Sequence, residues 1–531
     1  MRVPSGPPPS LLRLNDLYLS RLSRRPALFP PRGEEKEKRE AVEPLGHSPT
    51  RVAQKGAASA ALRRLPPIAA PQRINWLALF AMGMAVVVIA NDFSAINVAL
   101  PTMEKDFDTN INTIQWVVNA YALTFGVMIV TGGRLADMFG RRNAFFLGTA
   151  IFASMSALGG AAQTETWLIA TRTLMGIGGA LMWPAILGMT FAILPKEKAG
   201  LAGGIILGAA GLGNAVGPLI GGVLTDALSW RWIFFLNVPI SIFAVLVTYF
   251  LVHVEEPESA DRRIDYAGIS TLSIGLVSLL IALDQAADWD WGDPRVIGLL
   301  ALAGILVLAF VPIERRAGAH ALVPREIMSN RSFTASCVAI LFMSATFFAS
   351  LLYLPQFMEK QFGYSALEAG VGILPFLGVF AVVSFIAGPL YNRLGAKPLA
   401  VFGAACITVA PFLFSQVDAG SSYGSLIPGM VVLGLGVGSF YPTATTAGVT
   451  SVDDSQTSLA GGIVYMFQIA GGSIGLGLTT AVFSAAIPPF VDGVQAGFRL
   501  DAALSLVGFV ISLLFVGGTL FARRRTAEQT A

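Results

Sequence analysis

The sequence predicts an all-α integral membrane protein with 14 transmembrane helices: two six-helix parallel-repeat bundles plus an inserted helix pair. Three observations carry this expectation. The 531 residues are 54% hydrophobic and only 13% charged, where a soluble domain carries about 25% charged residues. The apolar residues come in blocks of about 20 separated by short polar loops, the length at which a helix crosses a bilayer. Finally, motifs of the first half return in the second. GIGGALMWP (176–184) lines up with GLGVGSFYP (434–442), and LAGG (201–204) with LAGG (459–462), both at an offset of 258. ALP (99–101) returns as YLP (353–355), and GRLADMFGRR (133–142) as GPLYNRLGAK (388–397), at offsets of 254 and 255. Four matches in one order indicate duplicated halves running in the same direction. Transporters of that build bind substrate near the midplane between the halves.

Residues 1–73 form the first element. They hold 14 Lys/Arg against 6 Asp/Glu, while the rest of the chain holds 22 against 27, so the net +3 hides a basic N-terminal segment. RGEEKEKRE (32–40) is a solvated charge run. The segment has too little apolar surface to fold alone and no signal-peptide core. It reads as a disordered basic cytoplasmic tail or as an over-extended gene start, with a targeting arm as a third reading. The basic excess is confined there, so no nucleic-acid surface is expected.

The apolar spans follow near 76–98, 113–132, 144–162, 167–187, 201–223, 232–252 and 266–284. The second seven lie near 296–313, 333–354, 367–388, 398–415, 424–447, 459–484 and 502–522. Spans 1–6 match spans 9–14, which leaves spans 7 and 8 as the insertion. The expected domains are therefore 1–73, the tail; 74–254, the N-terminal six-helix bundle; 255–331, the inserted pair with flanking loops; 332–522, the C-terminal bundle; and 523–531, a C-terminal tail.

Loop charges set the expected orientation. With the N-terminus in the cytoplasm, the cytoplasmic loops and C-terminal tail after residue 73 hold 16 Lys/Arg, including Arg141, Arg142, Arg262 and Arg523 to Arg525. The opposite side holds 5, namely Lys105, Arg231, Arg295, Lys360 and Arg499. Both termini are thus expected in the cytoplasm of a multi-pass cell-membrane protein. The outer loop DWDWGD (288–293) reads as an interface anchor, with a calcium site as a remote alternative. Cys337 and Cys406 both sit in apolar spans and read as small core residues.

Several chemistries find no support. No lysine follows a glycine, so the phosphate-cradling loop of an ATP-driven pump is missing. His47, His253 and His320 all fall in tails or loops, so no intramembrane metal ligands are expected. The chain reads as neither an enzyme nor the carrier of a cofactor, and a monomer is expected.

Three motifs carry more specific information. GRLADMFGRR joins spans 2 and 3, with Gly133 and Gly140 permitting a tight junction, Asp137 able to cap a helix N-terminus, and Arg141 and Arg142 in the loop. Span 5 contains GLGNAVGPLIGG (211–222). Gly213, Gly217 and Gly221 there share one helix face, beside Pro218 and Gly222. Such a face lets helices approach closely, and packing alone accounts for the glycines. Span 1 ends with DFSAINVALP (92–101), which places an acid, Asp92, inside a spanning helix. A charge in hydrocarbon requires a partner, a water-filled cavity or a proton.

Together these strings resemble the major facilitator superfamily, and within it the fourteen-span drug:proton antiporters. The resemblance covers roughly residues 73–525 and extends to WRWIFFLNVP (230–239) and YLPQFMEKQFGYSALEAGVGILP (353–375). It implies that the loop with Gly133, Asp137, Gly140, Arg141 and Arg142 is a conformational latch between the halves. It also makes the span-5 string an antiporter motif, the mark of an exporter. Span 4 carries the family arginine as Arg172, with Met175 where a glutamine is usual. Asn91 and Ser94 depart from the span-1 pattern in a similar way.

The implied function is proton-coupled efflux of lipophilic, often cationic, small molecules by alternating access. Asp92 would carry the proton and Arg172 would be its partner if spans 1 and 4 face each other. A structural ion pair for Asp92, and an Arg172 that reaches the outer interface, are the bland readings. Asp92 aligns with Thr346 in the second half, and no acid other than Glu368, at the outer edge of span 10, is placed inside spans 9–13. The coupling is therefore expected to be lopsided, and the substrates monovalent or neutral. Candidates for the substrate pathway are Asn97, Trp116, Asn119, Tyr121, Trp183, Phe347, Tyr441, Tyr465 and Gln468. Phe125, Met182, Tyr353, Phe357 and Phe467 are further wall candidates, although residues of these types are more often packing. Two rivals stay open: an exporter dedicated to one endogenous metabolite or antibiotic, and a non-transporting membrane sensor or scaffold.

Overall fold

The computed structural model describes residues 74–252, 263–485 and 490–517. The N-terminal segment, Arg262, Arg523 to Arg525 and the C-terminal tail lie outside the described residues. Fourteen helices among the described residues are long and apolar enough to cross a membrane. They are α1 (Trp76–Asp106), α2 (Ile111–Phe139), α3 (Arg141–Gly160), α4 (Glu165–Ile193), α5 (Ala199–Ala227), α6 (Arg231–Leu251), α7 (Tyr266–Trp289) and α8 (Pro294–Ala317). The second set is α9 (Arg331–Phe362), α10 (Leu374–Leu394), α11 (Ala396–Phe414), α12 (Tyr423–Val449), α13 (Thr457–Ala485) and α14 (Phe490–Phe515).

Helix starts are set by side chains that take up the unpaired first-turn amides. Asn75 accepts from Ala78 N at 3.1 Å, Asn110 from Thr113 N at 2.9 Å, and Asp265 from Gly268 N at 2.8 Å. Two junctions use glycine instead. Gly140, between α2 and α3, has φ of 101°, and Gly395, between α10 and α11, has φ of 83°. These are the two glycines that the repeat matches at an offset of 255, and a side chain would strain both turns.

Packing repeats in the same way. In the first half α1 contacts α5 and α6, α2 contacts α4, and α3 contacts α4 and α6. In the second, α9 contacts α13 and α14, α10 contacts α12, and α11 contacts α12 and α14. Individual crossings recur as well. A Cβ on Gly178 would lie 2.7 Å from Phe152 N and 2.8 Å from Gly148 O. One on Gly436 would lie 2.7 Å from Ile407 N and 2.9 Å from Gly403 O. The halves meet along two seams, α5 on α10 and α2 on α13, which the repeat exchanges with each other.

The inserted pair breaks this symmetry. α7 and α8 pack on each other, and α7 also touches both α2 and α13, so it covers one seam and leaves the other alone. α8 turns Ile305 and Leu308 outward, 63% and 75% exposed. Apolar side chains displayed to this extent suit lipid and not water.

Several span boundaries are corrected. α1, α2 and α9 run to Asp106, Phe139 and Phe362 rather than 98, 132 and 354, and α10 starts at Leu374 rather than 367, after a separate short helix Ala366–Gly372. α7 runs to Trp289 rather than ending at 284, and α14 starts at Phe490 rather than 502. Polar residues at the edges of the apolar runs, Asp284 and Gln285 in α7 and Arg499 and Asp501 in α14, hid helix that the backbone continues.

Candidate functional site

Asp92 sits midway along α1 and is fully buried. Its Oδ2 pairs with the Arg172 guanidinium of α4. Its Oδ1 accepts a 3.1 Å hydrogen bond from Asn237 Nδ2 of α6. The same amide donates to Ser156 Oγ of α3 at 3.1 Å. Arg172 is equally buried; its Nε donates to Val117 O of α2 at 2.8 Å, and its Cζ lies 4.1 Å from the Tyr121 ring centroid. Five helices therefore converge on one charge pair, which excludes the reading in which Arg172 reaches the interface. Met175 Sδ takes a weak 3.8 Å contact from Arg172, in the place of the usual glutamine.

Beside this pair lies a cavity of about 410 Å³. Trp183 and Tyr465, one from each half, meet there with ring centroids 4.5 Å apart. Of the pathway candidates, Trp116, Asn119, Trp183, Phe347 and Tyr465 line it. Four do not. Tyr121 is buried against Arg172, Tyr441 is buried with its hydroxyl 3.0 Å from Ser344 Oγ, Gln468 is buried, and Asn97 donates to Phe93 O on its own helix at 2.9 Å. Phe125, Met182, Tyr353, Phe357 and Phe467 are likewise outside the lining. Asp92 is outside it too: Phe93 lines the cavity and packs on Tyr121, centroids 4.7 Å apart, and Tyr121 covers Arg172.

Two acids escaped the sequence reading. Asp284, on α7, lines the cavity and accepts from Asn119 Nδ2 at 3.0 and 3.2 Å. Asp501, on α14, is fully buried; its Oδ1 accepts from Thr479 Oγ1 at 2.8 Å and its backbone carbonyl accepts from Thr346 at 3.4 Å. Thr346 is the repeat partner of Asp92. The expectation that the second half has no acid near that position is thus corrected, because the acid comes from α14 and not from α9. Extending each hydrophobic span through isolated polar residues would have found both.

The loop motif closes one end of the bundle, the end that carries Gly140. Asp137 accepts from Ser458 N at 3.2 Å and Leu459 N at 2.7 Å, both in the first turn of α13. Arg141 Nε donates to Asp137 at 3.2 Å, and its other nitrogens reach Gly188 O and Asp454 O. A Cβ on Gly133 would lie 2.7 Å from Ser458 O. Arg142 turns away and donates to Tyr249 O on α6 at 3.2 Å. Lys196 pairs with Asp454 at 2.6 Å, again across the halves.

The glycine face of α5 lies on α1. A Cβ on Gly213 would come 2.7 Å from Val87 O, one on Gly217 would run into Ser94, and one on Gly221 into the backbone at Ala95. Pro218 faces Gly370 and Gly222 faces Leu367, both in the short helix Ala366–Gly372 and its first turns.

A sequence profile of the Major Facilitator Superfamily matches residues 82–476 and 337–530. The chain belongs to the major facilitator superfamily. It is a multi-pass membrane protein, and its fourteen spans are consistent with the drug:proton antiporter branch. It is 30% identical to the tetracenomycin C resistance and export protein of Streptomyces glaucescens, over 82% of this chain and 80% of that one. It is 31% identical to the multidrug transporter protein MdtP of Bacillus subtilis, over 78% and 77% respectively. The fold is similar to that of the human organic anion transporter MFSD10, with a TM-score of 0.61 at 14% identity, covering 83% of this chain and all of that one.

Proposed function

We propose that this chain is a proton-coupled antiporter that exports lipophilic, often cationic, drugs or toxic compounds across the cell membrane. One observation carries the reading: a fully buried Asp92–Arg172 pair stands behind an aromatic cavity while the Gly140 end is bound shut across the halves. Asp92 would take a proton in this state and release it in the opposite one, where the cavity would load substrate from the cell. Protonation removes the charge that holds Arg172, so the proton and the α1–α4 contact are linked. Asp137, Arg141 and the two loop glycines would serve as the latch, and the α5 glycine face as the surface on which α1 moves.

The positive-inside pattern supports placing the Gly140 end and both termini in the cytoplasm. The repeated contacts support domains at 74–254 and 332–522 with the insertion at 255–331; that the chain acts as a monomer without a cofactor is part of the same proposal. Transport without chemical change of the substrate accounts for every motif, so no enzymatic role is assigned.

The experiment is proton-driven ethidium uptake into energised everted vesicles, whose inverted membrane turns export from the cell into uptake. Asp92→Asn protein, inserted at normal levels, should lose proton-driven efflux, and full retention would sink the reading. The second reading, export of one antibiotic or metabolite, is favoured by the relative that carries tetracenomycin C in its name. A resistance panel in a pump-deficient host separates the two: protection against many compounds supports the multidrug reading, and against one the dedicated exporter.

A further inference from the structure

The α2–α13 seam is closed for only part of its length. At the Gly140 end it is tight. Asp137 takes the Leu459 amide, a Cβ on Gly462 would lie 2.7 Å from Ile129 O, and one on Gly126 would lie 3.0 Å from Ile469. Farther from that end the two helices part: Trp116 and Leu123 of α2, and Leu476 and Thr480 of α13, line the cavity. Leu280, Ile281 and Leu283 of α7 line it too. A third helix reaches a cavity between two others only where those two stand apart. A slot between α2 and α13 therefore opens sideways, toward the bilayer, and α7 stands in it.

The sequence of α7 fits that place. Leu272, Leu276 and Leu280 recur every four residues and are buried in the main core, while Ala282 and Ala286 are buried with Val296 of α8. One stripe thus faces the bundle and another faces α8. The seat on α13 is specific, because a Cβ on Gly477 would lie 3.1 Å from Leu283 Cδ2, so glycine leaves room for that leucine. The α5–α10 seam closes without an added helix. A Cβ on Gly204 would lie 2.9 Å from Ser384 O and one on Gly211 3.0 Å from Ala381 Cα, and beyond them the short helix Ala366–Gly372 sits on Pro218 and Gly222. Among the described residues, α10 supplies none of the cavity lining.

We infer that α7 is a lipid seal: it fills a lateral slot in the cavity wall and keeps phospholipid acyl chains out, with Leu280 and Leu283 as the residues that close it. The lining is largely aromatic and aliphatic, so an acyl chain would be drawn in as readily as any lipophilic solute. The inserted pair covers a gap that the repeated halves leave between them on one side. A seal of this kind serves whichever way the molecule transports.

Photolabelling of the purified full chain in nanodiscs tests it. The nanodiscs contain phosphatidylcholine with a diazirine on one acyl chain, and mass spectrometry reads the labelled residues. In wild type the outward-facing Ile305 and Leu308 should be labelled, and the cavity residues Trp183 and Tyr465 should not. In Leu280→Ala/Leu283→Ala, labelling at Trp183 and Tyr465 should rise at least about tenfold, because the truncated side chains leave the slot unfilled. Ile305 and Leu308 should stay at the wild-type level. Leu283→Ala alone, milder for folding, should shift in the same direction. The seat is checked by Leu283→Cys/Gly477→Cys with Cys337 and Cys406 replaced by serine: a Cβ on Gly477 would lie 3.6 Å from Leu283 Cβ, within disulfide range, so the pair should cross-link in full. Labelling of Trp183 and Tyr465 in wild type, an unchanged pattern in both alanine variants, or a pair that does not cross-link would each overturn the assignment.

Discussion

Asp137 accepts a 2.7 Å hydrogen bond from the backbone amide of Leu459, 322 residues away in the chain and in the other half of the molecule. Its other oxygen takes the Ser458 amide at 3.2 Å. An aspartate at the end of α2 therefore caps the start of α13, where free amides and the helix dipole favour an anion. Arg141 steadies the carboxylate from the next helix at 3.2 Å.

Removing that cap should loosen the closed end. In Asp137→Ala the α13 amides lose their acceptor, a change on the order of 1 kcal/mol, or roughly fivefold in the balance between states. A cysteine pair at Lys196 and Asp454, whose side chains meet at 2.6 Å, reports it when Cys337 and Cys406 are replaced by serine. Cross-linking should be efficient with Asp137 present and slower with alanine there. An unchanged rate would remove Asp137 from the latch.

The two members of the buried pair should fail differently. Arg172→Ala leaves the Asp92 carboxylate buried without its counter-charge, and breaking a buried pair by losing one partner costs about 3–5 kcal/mol. Asp92→Asn resembles the protonated acid, and Arg172 keeps Val117 O and the Tyr121 ring. Thermal unfolding followed by size-exclusion chromatography should therefore rank Arg172→Ala well below Asp92→Asn in stability. Arg172→Lys should lose efflux as well, because one ammonium cannot reach Asp92 and Val117 O in the fixed planar geometry of a guanidinium.

Asp501 should not replace Asp92 in coupling. Its side-chain partner is the Thr479 hydroxyl at 2.8 Å, a donor that the amide oxygen of asparagine accepts equally well. Asp501→Asn should keep proton-driven efflux within about twofold of wild type, a change below 0.5 kcal/mol by the usual conversion. A collapse of efflux in this variant, at normal protein levels, would show that the second half shares the coupling.

The sequence by itself determined the fourteen spans, the repeat and the positions of the motifs. Hydrocarbon forces long apolar runs, and duplicated backbone crossings keep their glycines, as Gly140 with Gly395 and Gly178 with Gly436 still display. It also located Asp92, because an acid within an unbroken apolar run stands out. Tertiary structure decided what each side chain faces. Trp183 and Tyr465 line the cavity, while Tyr121 and Tyr441 lie buried beside it, and nothing in their local sequence separates the two groups. The reason is physical: in a bilayer protein the lipid face, the packed core and the pathway are all largely apolar, so hydrophobic periodicity, which separates inside from outside in water, carries little information here. Asp284 and Asp501 show the same limit at the edges of the apolar runs. Each reads as the edge of a loop until packing carries its helix onward, and only then does one face the cavity while the other faces Thr479, with its backbone carbonyl on Thr346.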